Sequence, residues 1–172
     1  MNVKKILENR INVVIVPGSS YKKKLINLSK KLKKNKVCYV TVNKGAEAIL
    51  DDLKKNKIDE KNFYFIDCVT KTVVNPKNKE NCMFLSSPNA LTELSLALNK
   101  IVDSKSIDII LVDSLSSLLV YHKSNVLLKF VIHLINKIRQ GTMVLLLVSS
   151  DDEKQSELFK KLEPLVDNVL EL

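Results

Sequence analysis

Apolar runs and lysine-rich periodic stretches alternate along this chain. "INVVIV" at 11–16 is continuously apolar, the pattern of a strand covered on both faces. "SYKKKLINLSKKLKKN" follows, with Tyr21, Leu25, Leu28 and Leu32 on one helical stripe and the lysines facing the other way. The alternation repeats as a strand at 36–42, a helix at 46–56 and a strand at 63–69. "TKTVVNPKNKEN", polar and centred on Pro76, reads as an excursion between elements. "CMFLSSP" predicts a short extended piece, and a helix over "NALTELSLALNKIVDS" follows it, capped by Ser87 or Asn89. "SIDIILVDS" at 106–114 is the clearest strand, an apolar run closed by Asp113.

The last third continues in the same way. A helix at 125–140 ends at Gly141, "TMVLLLVSS" is a strand, and "DDEKQSELFKKLEPL" is a helix entered through acidic residues that suit its N-terminus. "VDNVLEL" forms a final edge strand. Such strand and helix alternation predicts an α/β fold, a three-layer sandwich with a mostly parallel central sheet. With no tandem repeat, low-complexity tract or linker, residues 1–172 read as one domain, which suits the length. The helix at 125–140 is apolar over an arc of roughly 240°, more than one core-facing stripe requires. Either neighbouring elements cover the remainder or a partner does.

Composition narrows the class. At 45% hydrophobic and 27% charged, with 3 Gly and 4 Pro, the chain is globular and neither disordered nor fibrous. Its longest apolar run, "MVLLLV", is far short of the ~20 residues that span a bilayer. "MNVKKILENR" lacks the apolar centre of a secretory signal, and together these features predict a cytoplasmic protein with no membrane contact. Cys38, Cys68 and Cys82 have no C-x-x-C spacing and read as buried free thiols. His122 and His133 stand apart from any pattern of metal ligands.

Charge is unevenly spread. The net charge is +9, and residues 1–61 hold 16 Lys and Arg against 6 Asp and Glu. This excess fits solvated helix faces, and it fits a surface for nucleic acid or another polyanion through residues 22–36. Most of the cations are Lys, which lacks the rigid fork with which Arg reads bases.

In open parallel sheets ligands sit at the carboxyl ends of strands. Here those ends carry "PGSSYKKK", "NKG", "DCVTK", "DSLSS" and "SSDD". In that order, and together with "YVTVNKGAEAILDDLKKNKID", "FYFIDCVTKTV" and "IDIILVDSLSSLL", they resemble the KaiC-like and RadA-like branch of the RecA superfamily of P-loop ATPases, archaeal type. The resemblance covers nearly the whole chain. It implies a RecA-like P-loop fold, ATP as the cofactor wherever a nucleotide is held, and oligomers of the kind RecA relatives often form.

The catalytic signatures depart from that pattern. A phosphate loop, G-x-x-x-x-G-K-[ST], uses glycines to wrap the phosphates, a lysine on their outer oxygens and a hydroxyl on Mg²⁺. Aligning "KKKL" on that lysine puts Val16 and Tyr21 at the glycine positions, Lys22 at the lysine and Lys23 at the hydroxyl. Tyr21 lacks glycine's backbone freedom, and Lys23 would repel the cation. The resemblance places a water-activating glutamate after the second strand, where Asn43 and Lys44 stand. It matches Asp113 to the acidic residue near Mg²⁺, making Asp113 the candidate metal ligand, and matches Ser149 and Ser150 loosely to a polar sensor. Gly18, Ser19, Ser20, Lys22, Lys23 and Asp113 are therefore the candidate nucleotide-binding residues, and no catalytic residue is nominated.

Three functions follow as expectations. The first is a catalytically degenerate domain that binds a protein partner or copies of itself, as a regulator or scaffold, with room for weak residual phosphate or nucleotide binding. The second is an atypical ATP-binding protein or ATPase using Lys22 and Asp113. The third is a nucleic-acid binder using the basic first third. "DSLSS" lacks the Gly-x-Ser-x-Gly elbow of a hydrolase, and no dinucleotide fingerprint follows the first strand.

Overall fold

The apolar runs form one sheet. The computed structural model describes residues 3–152 and 156–172. Its strands are β1 Ile11–Val16, β2 Val37–Thr41, β3 Phe63–Asp67, β4 Cys82–Phe84, β5 Ile109–Asp113, β6 Val144–Ser150 and β7 Asn168–Glu171. They lie in the order β4-β3-β2-β5-β6-β1-β7. Every pairing is parallel, which tightens the expectation of a mostly parallel sheet. The helices are α1 Val3–Glu8, α2 Tyr21–Leu32, α3 Ala46–Lys55, α4 Leu91–Ser104, α5 Leu115–Tyr121, α6 Ser124–Arg139 and α7 Glu157–Leu162.

Side chains alternate across each strand, and both sides are covered. Val13, Ile15, Val40, Ile110, Val112 and Leu147 pack in the layer that includes α4, α5, α6 and α7. Val14, Tyr39, Phe65, Ile109, Leu111 and Leu146 pack on the opposite side with α2 and α3. The two-sided cover explains why the strands read as unbroken apolar runs. Each fully buried aliphatic or aromatic side chain contributes about 1.5–3 kcal/mol, so the middle strands anchor everything above them.

Two helices fall where the sequence pattern does not announce them. Helix α1 precedes β1, and α5 follows β5 directly. Helix α5 buries only Leu115 and Leu118, too few to set up a visible period, and its start is fixed by Ser114, whose Oγ accepts the Ser117 N–H. Helix α4 starts at Leu91 without a side-chain cap. Ser87 Oγ accepts the Asn89 N–H instead, so it shapes the turn before the helix. Helix α6 packs against α4, α5, α7 and β6, and these neighbours account for most of its wide apolar arc. The acidic entry expected for the last helix falls partly outside the described residues, whereas Ser156 caps α7 by accepting the Phe159 N–H at 3.2 Å. Cys38, Cys68 and Cys82 are buried free thiols, and no described helix is long and apolar enough to cross a membrane.

Candidate functional site

The carboxyl ends of the strands carry the polar residues, so the site is built there, starting from β1. Between β1 and α2 lie four residues. Pro17 is extended, and Gly18–Ser20 make a single 3-10 turn with no left-handed residue. Val16 is the last, fully buried residue of β1, and Tyr21 is the first residue of α2. A β-carbon on Gly18 would meet nothing within 4 Å, so no close approach demands glycine there. Its N–H donates to Asp151 Oδ1 at 3.2 Å. Ser19 is exposed and Ser20 half-buried.

Asp113 ends β5 and is 7% exposed. Its two oxygens each accept a phenol: Tyr21 Oη donates to Oδ1 at 2.6 Å, and Tyr39 Oη, from β2, donates to Oδ2 at 2.6 Å. Burial raises the Asp113 carboxyl above the usual carboxylate range, and the two hydroxyls and the nearby Lys44 only partly offset it. The phenols of Tyr21 and Tyr39 are both pushed well up, first by burial and then by the Asp113 charge. Hydrogen bonds to a charged acceptor contribute about 1.5–3 kcal/mol each, so this pair of bonds holds the first turn of α2 onto β5.

Lys22 turns to α3, where its Nζ lies 2.7 Å from Asp52 Oδ1. Lys23 is exposed and forms no ion pair among the described residues. A cavity of about 110 Å³ remains between α2 and α3, lined in part by Tyr21, Lys22, Tyr39, Lys44, Asp52 and Asp113.

A second buried carboxylate, Asp67 at the end of β3, organises the neighbouring turns. Its Oδ1 accepts the N–H groups of Val69 and Thr70 at 2.8 and 2.9 Å. Its Oδ2 accepts the Ala46 N–H at 2.7 Å and the Thr70 hydroxyl at 2.6 Å. The start of α3 is thereby tied to the turn after β3. Gly45 is required by this junction, because a β-carbon there would sit 2.6 Å from Thr70 Oγ1. Beyond β6, Ser116 Oγ accepts the Ser150 N–H at 2.8 Å and joins α5 to that strand.

A sequence comparison gives the family of this chain, and a structure comparison gives its fold. The family model described as "ATPase: KaiC" matches residues 25–172. The chain belongs to the KaiC ATPase family. Among solved structures it is similar to a KaiC-like protein from the hyperthermophilic archaeon Pyrococcus horikoshii OT3. The TM-score is 0.67 at 13% identity, covering 95% of this chain and 74% of that one, so the likeness is one of fold. No curated protein matches the chain.

In this KaiC-family chain the match begins at Leu25, so the β1–α2 connection and the first turn of α2 precede it. Of the six candidate residues, Lys22 and Asp113 line the same cavity. Gly18 is tied to Asp151, and Lys23 points to no described partner. Asn43 and Lys44 follow β2 at the rim of the cavity, bringing no carboxylate. Sequence reading missed Tyr39 and Asp67. Tyr39 was hidden inside an apolar run, whereas the "DCVT" spacing of Asp67 and Thr70, with an acceptor and a hydroxyl three residues apart, was a readable turn signal.

Proposed function

We propose that this chain is a KaiC-family domain that has lost ATP hydrolysis and acts by binding, as a regulatory or scaffold protein working through a protein partner or further copies of itself. The observation that carries the reading is the 2.6 Å bond from Tyr21 to Asp113. It puts a phenol where a phosphate loop would leave open space, and it occupies Asp113, the acidic residue that the family resemblance matches to the metal shell.

Magnesium ATP does not fit the residues present. The four-residue connection after β1 has the length of a phosphate loop but neither of its flanking glycines, and its helix begins with a tyrosine. Both oxygens of Asp113 are engaged, Lys22 is paired with Asp52, and Lys23 stands where a hydroxyl would meet the cation. The cavity of about 110 Å³ is also well below the roughly 300–1,000 Å³ of small-molecule sites. Phosphoryl transfer depends on positioning and electrostatics, and these are the features that are missing.

Purified protein tests the reading by phosphate release and thermal unfolding with millimolar ATP and Mg²⁺. The expected result is an unchanged midpoint and no phosphate release beyond that of the Lys22→Ala variant. Turnover that disappears in Lys22→Ala overturns it.

A further inference from the structure

The opposite end of the sheet, below the amino ends of the strands, is strongly basic. Residues 30–36 contain five lysines and no acidic residue, and residues 54–61 contain four lysines with Asp59 and Glu60. Helices α2 and α3 both run down to this end, and the Asn62 side chain, just before β3, donates to the Lys33 carbonyl at 2.9 Å. The two lysine-rich connections are therefore adjacent. Lys105, before β5, extends the row: β3, β2 and β5 are consecutive in the sheet.

Cations near helix C-termini also stabilise helix dipoles, and Lys30, Lys31, Lys54 and Lys55 occupy the last turns of α2 and α3. That explanation extends to Lys33, the C-cap of α2, whereas Lys34, Lys36, Lys57 and Lys61 lie beyond the helix ends. All five are exposed, and none forms an ion pair among the described residues. Fewer acids lie at this end: Glu60 pairs with Lys54 at 3.5 Å, Asp59 accepts the Lys61 N–H at 3.1 Å, Asp108 accepts the Lys36 N–H at 2.8 Å, and Glu80 lies beside Lys36 and Lys61 without forming an ion pair among the described residues. Cations in excess over acids at one end give it a positive potential that suits a polyanionic ligand.

We propose that this end of the molecule binds the phosphate backbone of duplex nucleic acid without regard to sequence. Two strand spacings make the row roughly 10 Å wide, enough for about three phosphates of one strand at about 3.4 Å of rise each. Lysines position a backbone as point charges and do not read bases, which gives binding without sequence preference. A single strand needs exposed aromatic rings for its bases to stack on. At this end Phe63 is buried and Tyr64 half-buried, so the duplex is the better match. The proposal is independent of the Tyr21–Asp113 site, which lies at the other end of the strands.

The test is fluorescence anisotropy of a labelled 20-base-pair duplex, as DNA and as RNA, titrated with the full chain across a salt series. The Lys33→Glu/Lys34→Glu/Lys36→Glu protein is compared with Lys100→Glu/Lys123→Glu/Lys129→Glu, an equal charge change among exposed residues of the α4 and α6 side. The first variant is expected to lose at least tenfold in affinity and to flatten the salt dependence of log K by roughly 2 to 3. The second is expected to lose less than threefold. Circular dichroism confirms that both are folded, and Lys33→Gln/Lys34→Gln/Lys36→Gln replaces the first variant if it is not. Binding to DNA alone or RNA alone identifies which duplex is held. No binding at low salt, equal losses in both variants, tighter binding of a single strand, or equal binding of polyglutamate overturns the proposal.

Discussion

Two buried aspartates end the strands on either side of β2, and they are held in different ways. Asp67 accepts three backbone N–H groups and one hydroxyl, all from the turns it joins. Asp113 accepts two phenols from side chains, one on β2 and one on the first turn of α2. A carboxylate satisfied by backbone is part of the fold. One satisfied by side chains ties together the elements that carry them, and at Asp113 those side chains are Tyr21 and Tyr39. The same residue type at the same end of the sheet thus joins two turns in one place and fastens α2 to the strands in the other.

Removing the backbone-held acid separates the two most sharply. Asp67→Ala leaves three N–H groups and the Thr70 hydroxyl without their acceptor, and a loss of about 4 kcal/mol is expected in urea unfolding. A loss under about 1 kcal/mol would show that water replaces those bonds and would end the contrast. Tyr39→Phe is expected to cost about 2 kcal/mol, because it strands one oxygen of a buried carboxylate. Tyr21→Phe removes the other bond at a more accessible place, and about 1 kcal/mol is expected.

These effects also show how far the chain could be read before its structure was known. The strand and helix order was legible because both sheet faces are covered, which turns strands into the unbroken apolar runs that stand out between lysine-rich helices. That Val16 and Tyr21 are not glycines was equally plain. The destination of the Tyr21 hydroxyl was not legible, since Asp113 lies 92 residues away and only the parallel neighbours β2 and β5 bring it close. Tyr39 was hidden for a related reason: in a buried strand its ring counts as one more apolar position, and its hydroxyl matters only once Asp113 is seen beside it. Helix α5 was missed because seven residues with two buried leucines leave no period to detect.

The smallest expected effect is on pH dependence. The folded-state value of Asp113 is raised, so the folded protein holds a proton that the unfolded chain has already lost. Its contribution to stability is therefore largest at low pH and falls as pH rises from the ordinary carboxylate range through the raised value. Asp113→Asn cannot titrate and is expected to flatten the stability profile over that window, by less than about 1 kcal/mol, as followed by urea midpoints in steps of pH. An unchanged profile would mean that other groups set it.

The central claim is that Tyr21 has closed the nucleotide site of a KaiC-family domain. Isothermal titration of the purified chain with ATP and Mg²⁺ at millimolar concentration, with phosphate release followed in the same samples, tests it most directly. The account predicts neither heat of binding nor turnover. Saturable binding with turnover that Lys22→Ala abolishes would contradict it.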